Sequence, residues 1–201
     1  MRKLLALSIY MFAMITGISS YANDNLSNVD SRKKSEITLT LNHVKAGQLL
    51  SIKDEYGIAL YKSTISTSGA YNNTFDLTAL PNGDYSFEHE KGLEIKIIPF
   101  TVSNEEVTFN REEERSIFKP SVKFKNNAVY LTQLDLDKEE VSVNIYYSSN
   151  DSYSNDELIY TEKISDEASI QRIYSLSEKR AGHYKVFISA NGRNYVEHFK
   201  I

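Results

Sequence analysis

Cysteine is missing from the 201-residue chain, and so is tryptophan. Without a thiol there is no disulfide framework, no cysteine nucleophile and no lipid-bearing cysteine, so stability must come from packing alone. Proline (3) and glycine (8) are scarce as well. Basic residues are outnumbered by acidic ones, 23 to 27. No basic patch offsets that excess, so the surface repels phosphate backbones and a nucleic-acid partner is not expected.

Long apolar runs are also lacking, with one exception. Met1-Arg2-Lys3 precede an apolar stretch from Leu4 to Ile18, which gives way to Ser19-Ser20-Tyr21-Ala22 and the polar Asn23-Asp24. A basic start, a short apolar middle and the small residues Ser20 and Ala22 make residues 1–22 a secretory signal peptide. The apolar stretch falls short of the about 20 residues that a membrane span needs. Cleavage after Ala22 removes Arg2 and Lys3 and leaves 21 basic against 27 acidic residues, a formal charge of −6. The expected address is secreted or periplasmic, with no integral membrane segment after cleavage.

What the chain does contain, it contains twice. A shift of 99 residues aligns Tyr61 with Tyr160, Ile65 with Ile164, Phe75 with Tyr174 and Leu77 with Leu176. The same shift aligns Gly83 with Gly182, Tyr85 with Tyr184, Phe100 with Phe199 and Val102 with Ile201. An ordered series at one offset indicates a duplicated domain. Leu50 and Ile52 match Val143 and Ile145 at 93, so the second copy carries six extra residues within Ser148 to Glu157, an insertion suited to an exposed loop.

Within each copy the period is two. Leu50, Ile52, Tyr85 and Phe87 alternate with polar residues in the first, as do Val141, Val143, Ile145, Tyr184, Val186 and Ile188 in the second. Such alternation, broken by Asp54-Glu55-Tyr56-Gly57, Pro81-Asn82-Gly83 and Asn191-Gly192, predicts half-buried antiparallel strands. The fold class is therefore all-β: two tandem immunoglobulin-like antiparallel β-sandwiches. The expected boundaries are a disordered leader at 23–35, sandwich 1 at 36–103, a charged linker at 104–116 and sandwich 2 at 117–201. The leader is polar, and the linker holds Asn104-Glu105-Glu106 and Arg111-Glu112-Glu113-Glu114-Arg115.

The stretches FDLTALPNGDY and YSLSEKRAGHY place a glycine two residues before a tyrosine at the corner that opens a strand. Such a tyrosine buries its ring while its hydroxyl reaches a backbone acceptor, so Tyr85 and Tyr184 are expected as core pins and not as catalytic phenols. The second copy, VSVNIYYSSN through ELIYTEKIS to IQRIYSLSEKRAGHYKVFISANGRNYVEHFKI, resembles small secreted immunoglobulin-like domains of unknown function common in Bacteroidota-type envelopes. The first copy looks like the same pattern. More distantly, both resemble the C-terminal sorting domains of type IX secretion, although the chain has neither their Asn-Pro start nor their basic tail. The resemblance implies a fold and an address; it implies no activity and no cofactor.

Signs of catalysis are few. The chain has no Gly-x-Ser-x-Gly and no phosphate loop, and His89-Glu90-Lys91-Gly92-Leu93 lacks the second histidine of a zinc motif. If the last hairpin turns at Asn191-Gly192, His183 and His198 become diagonal neighbours on its outer face, within reach of a shared metal but short of a third ligand. The insertion at 148–157 is oxygen-rich enough to be weighed for calcium against a solvated loop. Leu93-Glu94-Ile95-Lys96-Ile97-Ile98-Pro99-Phe100-Thr101-Val102 is apolar on both faces. A bulge near Ile97-Ile98, cover from the other domain, or a partner-binding face at Leu93, Ile95 and Ile97 would each account for it. Tyr146, Tyr147 and Tyr153, beside the insertion, are further partner-binding candidates. The expectation is a non-catalytic interaction or structural module of the envelope that meets an envelope protein or a glycan. The alternative is an accessory or inhibitor domain for an envelope enzyme, or a secretion-linked sorting module.

Overall fold

The computed structural model describes residues 28–33, 36–77, 79–149, 156–177 and 180–201. The expected signal peptide, 1–22, and most of the inserted loop lie outside them. In the first half, β1 (Asn28–Lys33), β2 (Glu36–Val44) and β5 (Gly69–Asp76) form one sheet in the order β1-β2-β5. The facing sheet runs β4 (Ala59–Thr64), β3 (Leu49–Asp54), β6 (Gly83–Lys91), β7 (Glu94–Ser103) and β8 (Glu106–Phe109). In the second half, β10 (Ser121–Lys125), β11 (Ala128–Leu134) and β14 (Ser169–Ser175) face a sheet ordered β13 (Glu157–Ile164), β12 (Val141–Ser148), β15 (His183–Ala190) and β16 (Arg193–Lys200). Both halves place their first, second and fifth strands in one layer and their fourth, third, sixth and seventh in the other. This is the immunoglobulin-like sandwich expected from the alternation.

Each sandwich has its own core, because the period-two apolar residues of its two inner faces meet there. Leu50, Ile52, Tyr85, Phe87, Ile98, Phe100 and Val102 pack against Ile37, Leu39, Leu41 and Phe75 in the first. Val141, Val143, Ile145, Tyr184, Val186 and Ile188 pack against Val129, Leu131, Ile170 and Tyr174 in the second.

The two sandwiches repeat one another in detail. Ile52 pairs with Tyr61 and Phe87, and Ile145 pairs with Tyr160 and Val186. Both third-to-fourth strand pairings then slip by one residue, which leaves Leu60 and Ile159 as extra residues in bulges that twist the edge strands β4 and β13. Tyr61 meets Phe75 edge to face at 5.4 Å, and Tyr160 meets Tyr174 at 5.1 Å. The Tyr85 hydroxyl donates to the Pro81 carbonyl at 2.8 Å, and the Tyr184 hydroxyl to the Arg180 carbonyl at 2.7 Å. These are the two tyrosine corners that the sequence announces.

Two expected boundaries are corrected. The leader at 23–35 contains β1, whose backbone pairs antiparallel with β2; hydrogen bonding to a sheet edge needs no apolar pattern, so composition did not reveal it. The linker at 104–116 is structured as well. Asn104 and Glu105 adopt φ of 50° and 64°, which makes a two-residue hairpin turn without glycine. The turn returns the chain as β8 along the Phe100–Ser103 half of β7. A 3-10 turn at Arg111–Glu113 follows, and β9 (Arg115–Phe118) then pairs with the Glu94–Ile97 half of β7. One edge of β7 is thus closed along both halves, by the expected connector and by Ile117 and Phe118, which the expected boundary at 117 gave to sandwich 2 and which pair with β7 of sandwich 1 instead.

Candidate partner-binding surfaces

Burial decides the fate of the apolar strand. The β6–β7 register runs unbroken from Gly83 opposite Val102 to Lys91 opposite Glu94, so no bulge exists. Ile98, Phe100 and Val102 enter the core, and Ile95 and Ile97 point the other way. They are buried all the same. Ile117 of β9 lies directly opposite Ile95 and forms a small separate apolar cluster with Ile95 and Ile97. As partner-binding residues Ile95 and Ile97 are therefore corrected: their faces are taken up within the chain. Leu93 remains 53 % exposed in the β6–β7 turn, where its carbonyl accepts the Lys119 backbone N–H at 2.8 Å.

Sandwich 2 reaches the same face of the sheet through Arg193. Glu88, next to Ile97 across the sheet, is only 3 % exposed. Arg193, at the β15–β16 hairpin, grips it with both Nη atoms at 3.1 and 2.5 Å, and Lys53 adds a third contact at 2.9 Å. Burial opposes the charge on Glu88, but the hydrogen bonds from Arg193 and Lys53 outweigh it and hold the carboxyl below its ordinary value. A buried, doubly compensated carboxylate thus ties the two sandwiches together.

The tyrosines separate by face. Tyr147 points inward: it meets Tyr184 at 5.2 Å, donates to the Ala181 carbonyl at 2.9 Å and lies beneath the Arg180 guanidinium at 3.9 Å. That is a packing role. Tyr146 points outward under the Lys185 ammonium, 4.5 Å from its ring centre. Tyr153 lies outside the described residues. Of the 148–157 insertion, Asp156 and Glu157 are engaged by Lys185 and Arg180, which takes two carboxylates from any calcium site there.

The last hairpin turns at Asn191-Gly192 in the expected register, with Tyr184 opposite Phe199 and Ile188 opposite Tyr195. His183 and His198 are diagonal neighbours as read from the sequence. Directly across from them, however, stand Lys200 and Lys185. Two ammonium groups among two imidazoles oppose a dication, and no three His, Cys, Asp or Glu side chains gather as a metal site among the described residues.

His89 turns into sandwich 1, where its Nε2 meets Gln48 Oε1 at 2.9 Å. Burial, with Lys91 adding to it, lowers its pKa to about 4, so the ring is neutral. In sandwich 2 the seam between β13 and β14 is latched by Arg172, which bonds Glu162 at 2.8 Å and Glu167 at 2.6 Å, while the Tyr174 hydroxyl donates to Glu162 at 2.8 Å. Burial opposes the Glu162 charge, yet Arg172 and Tyr174 hold that carboxyl below its ordinary value. These perturbed groups serve packing and latching.

Beyond the latch the seam opens. A cleft of about 340 Å³ reaches from Ile159, Tyr160 and Ile173 at its mouth to Ile145, Tyr174 and Tyr184 at its floor. It lies beside β13, a terminal strand that among the described residues pairs with β12 alone. Leu158 and Tyr160 on β13 and Ile173 (65 % exposed) on β14 leave apolar surface in solvent. The equivalent edge of sandwich 1 shows the same habit: Tyr56 is 80 % exposed, and Ile58 and Leu60 also face outward. Sequence reasoning missed these positions. Their signal was the repeated bulge, which breaks the alternation at Leu60 and Ile159.

No known family matches the chain, and no curated protein does. Solved structures similar to it include a biofilm associated protein, in its BSP domain, at 14 % identity over 87 % of this chain and 29 % of that one, with a TM-score of 0.26. Native alpha-2-macroglobulin from Escherichia coli, spanning domains MG0-NIE-MG1, is 14 % identical over 88 % of this chain and 70 % of that one, TM-score 0.26. The human OSCAR ligand-binding domain is 10 % identical over 84 % of this chain and 90 % of its own, TM-score 0.23. The chain spans less than a third of the first of these proteins, and scores at this level say nothing about a site.

Proposed function

We propose that the chain is a secreted or periplasmic, non-catalytic interaction module that recognises an extended segment of an envelope protein along β13. The observation that carries this reading is the pairing of a free sheet edge with an apolar cleft beside it. Among the described residues one side of β13 is without a paired strand and offers backbone donors and acceptors, and the cleft offers Ile159, Tyr160, Ile173 and Tyr174 to alternate side chains of an added strand. Strand addition gains its affinity from main-chain hydrogen bonds and its selectivity from such side-chain pockets. The pattern at the start of the chain supports the address, and the net charge supports a protein or glycan partner over nucleic acid. The repeated bulges, aromatic pairs and tyrosine corners support an origin of the two sandwiches by duplication.

The test is a crosslinked pull-down from envelope and secreted fractions of the producing cell, using the chain without residues 1–22. A Leu158→Glu, Ile173→Glu variant serves as control, because both side chains are exposed, with its melting temperature checked against the wild type. One protein recovered by the wild type and lost in the variant, with slowed amide exchange along Leu158–Lys163 in the complex, is expected. Recovery by both baits, or slowed exchange elsewhere, overturns the edge reading.

A further inference from the structure

We infer that a second site lies at the end of sandwich 1 that adjoins sandwich 2 and takes an anionic group carried on an acidic polysaccharide. It is independent of the β13 edge, and each stands if the other fails. A depression of about 700 Å³ lies where the β2–β3 turn, the β6–β7 turn and the chain between β9 and β10 meet. Its lining inverts the charge of the chain. Among the described residues His43, Lys45, Lys91 and Lys119 stand around it, and Glu90, bonded to Lys119 at 2.5 Å, is the one carboxylate of its lining; Lys91 also pairs with Glu94, at 3.5 Å.

The floor is built to donate. Gln48 Oε1 is occupied twice, by the Lys45 backbone N–H at 2.9 Å and by His89 Nε2 at 2.9 Å. Because the amide oxygen is an acceptor, His89 is the donor in that bond. The Gln48 oxygen is thereby held inward, and its NH2 group is the end left for the depression. The walls are fixed by short turns. Gly47 at φ 89° donates to the Ile65 carbonyl at 2.9 Å, Gly92 adopts φ 68°, and the Lys119 backbone N–H is held by Leu93. Ammonium and amide donors therefore converge on one volume at low conformational cost.

The lining also says what the ligand lacks. Among the described residues no Phe, Tyr or Trp borders the depression, so a nucleobase finds no stacking surface and a peptide side chain no aromatic anchor there. A polar, extended polyanion fits what remains: carboxylates or phosphates on a sugar chain, held by charge-assisted hydrogen bonds and by Gln48.

The experiment is a titration of the chain without residues 1–22, followed by amide chemical shifts, with oligogalacturonate, a phosphate-bearing oligosaccharide, inorganic phosphate and neutral maltooligosaccharide in separate arms. All described strands are kept in that chain. Shifts confined to Lys45–Gln48, Lys91–Gly92 and Lys119 are expected with one or both acidic oligosaccharides, and they identify which anion is preferred. Binding should weaken as salt rises, and Lys45→Glu should cost at least about tenfold in affinity while Lys45→Arg keeps it. Lys45 is exposed, so an unchanged melting temperature separates lost binding from lost folding. Equal binding of the neutral oligosaccharide, equal binding of inorganic phosphate, shifts elsewhere, no shifts at all, or full affinity in Lys45→Glu would each overturn the site.

Discussion

Gly182 and Gly83 occupy equivalent places before the two corner tyrosines, yet space treats them differently. A Cβ on Gly182 would meet the Ser148 carbonyl oxygen at 2.6 Å and the Tyr147 ring at 2.7 Å, whereas one on Gly83 would touch only the Tyr85 ring at 3.6 Å. Gly182→Ala should therefore destabilise by about 1–3 kcal/mol in urea unfolding, and Gly83→Ala by well under about 1 kcal/mol. Tyr85→Phe and Tyr184→Phe each remove one hydroxyl-to-carbonyl bond and should cost about 0.5–1.5 kcal/mol. The corners were legible in the sequence because a Gly-x-Tyr spacing has a single geometric use there. His89 was not, because a histidine turned into a core looks the same in sequence as one in solvent. Its folded pKa, about 4, lies below the unfolded value of about 6.5, so the unfolded chain takes up the proton first as pH falls. The contribution of His89 is intact above about pH 6.5 and is lost as pH drops toward 4. His89→Leu should flatten the fall in stability across that window; an unchanged slope would refute the assignment.

At the scale of elements, β7 shows how far an alternating pattern reaches. Its two apolar faces were readable, but their cover was not, because β9 begins in a charge-rich segment whose return along β7 follows the glycine-free turn at Asn104-Glu105. Ile117 is the one apolar residue that β9 adds to Ile95 and Ile97. Ile117→Asp would place a charge in that cluster and should cost about 2–4 kcal/mol, with faster amide exchange along β9 and the adjoining half of β7. Loss of stability without faster exchange there would mean that β9 does not cover the strand. The edges β4 and β13 were hidden for the opposite reason: their bulges shift the pattern by one residue and place Leu60 and Ile159 where the alternation expects a polar side chain.

The whole molecule is two cores joined through Glu88 and Arg193. Breaking a buried pair strands a charge; with Lys53 still in place, Arg193→Ala should cost about 1–3 kcal/mol of coupling. The expected readout is a melt that divides into two transitions where the wild type shows one. The period and the corners revealed two sandwiches, but a contact between residues 88 and 193 leaves no local trace in the sequence, and neither does the cleft beside β13. That edge is where the account places function. A photo-crosslinking residue at Leu158, with one at the likewise exposed Thr108 of β8 as reference, tests it in the producing cell. The account predicts one discrete adduct from position 158 and none from 108. Equal adducts at both positions, or none at 158, would contradict it.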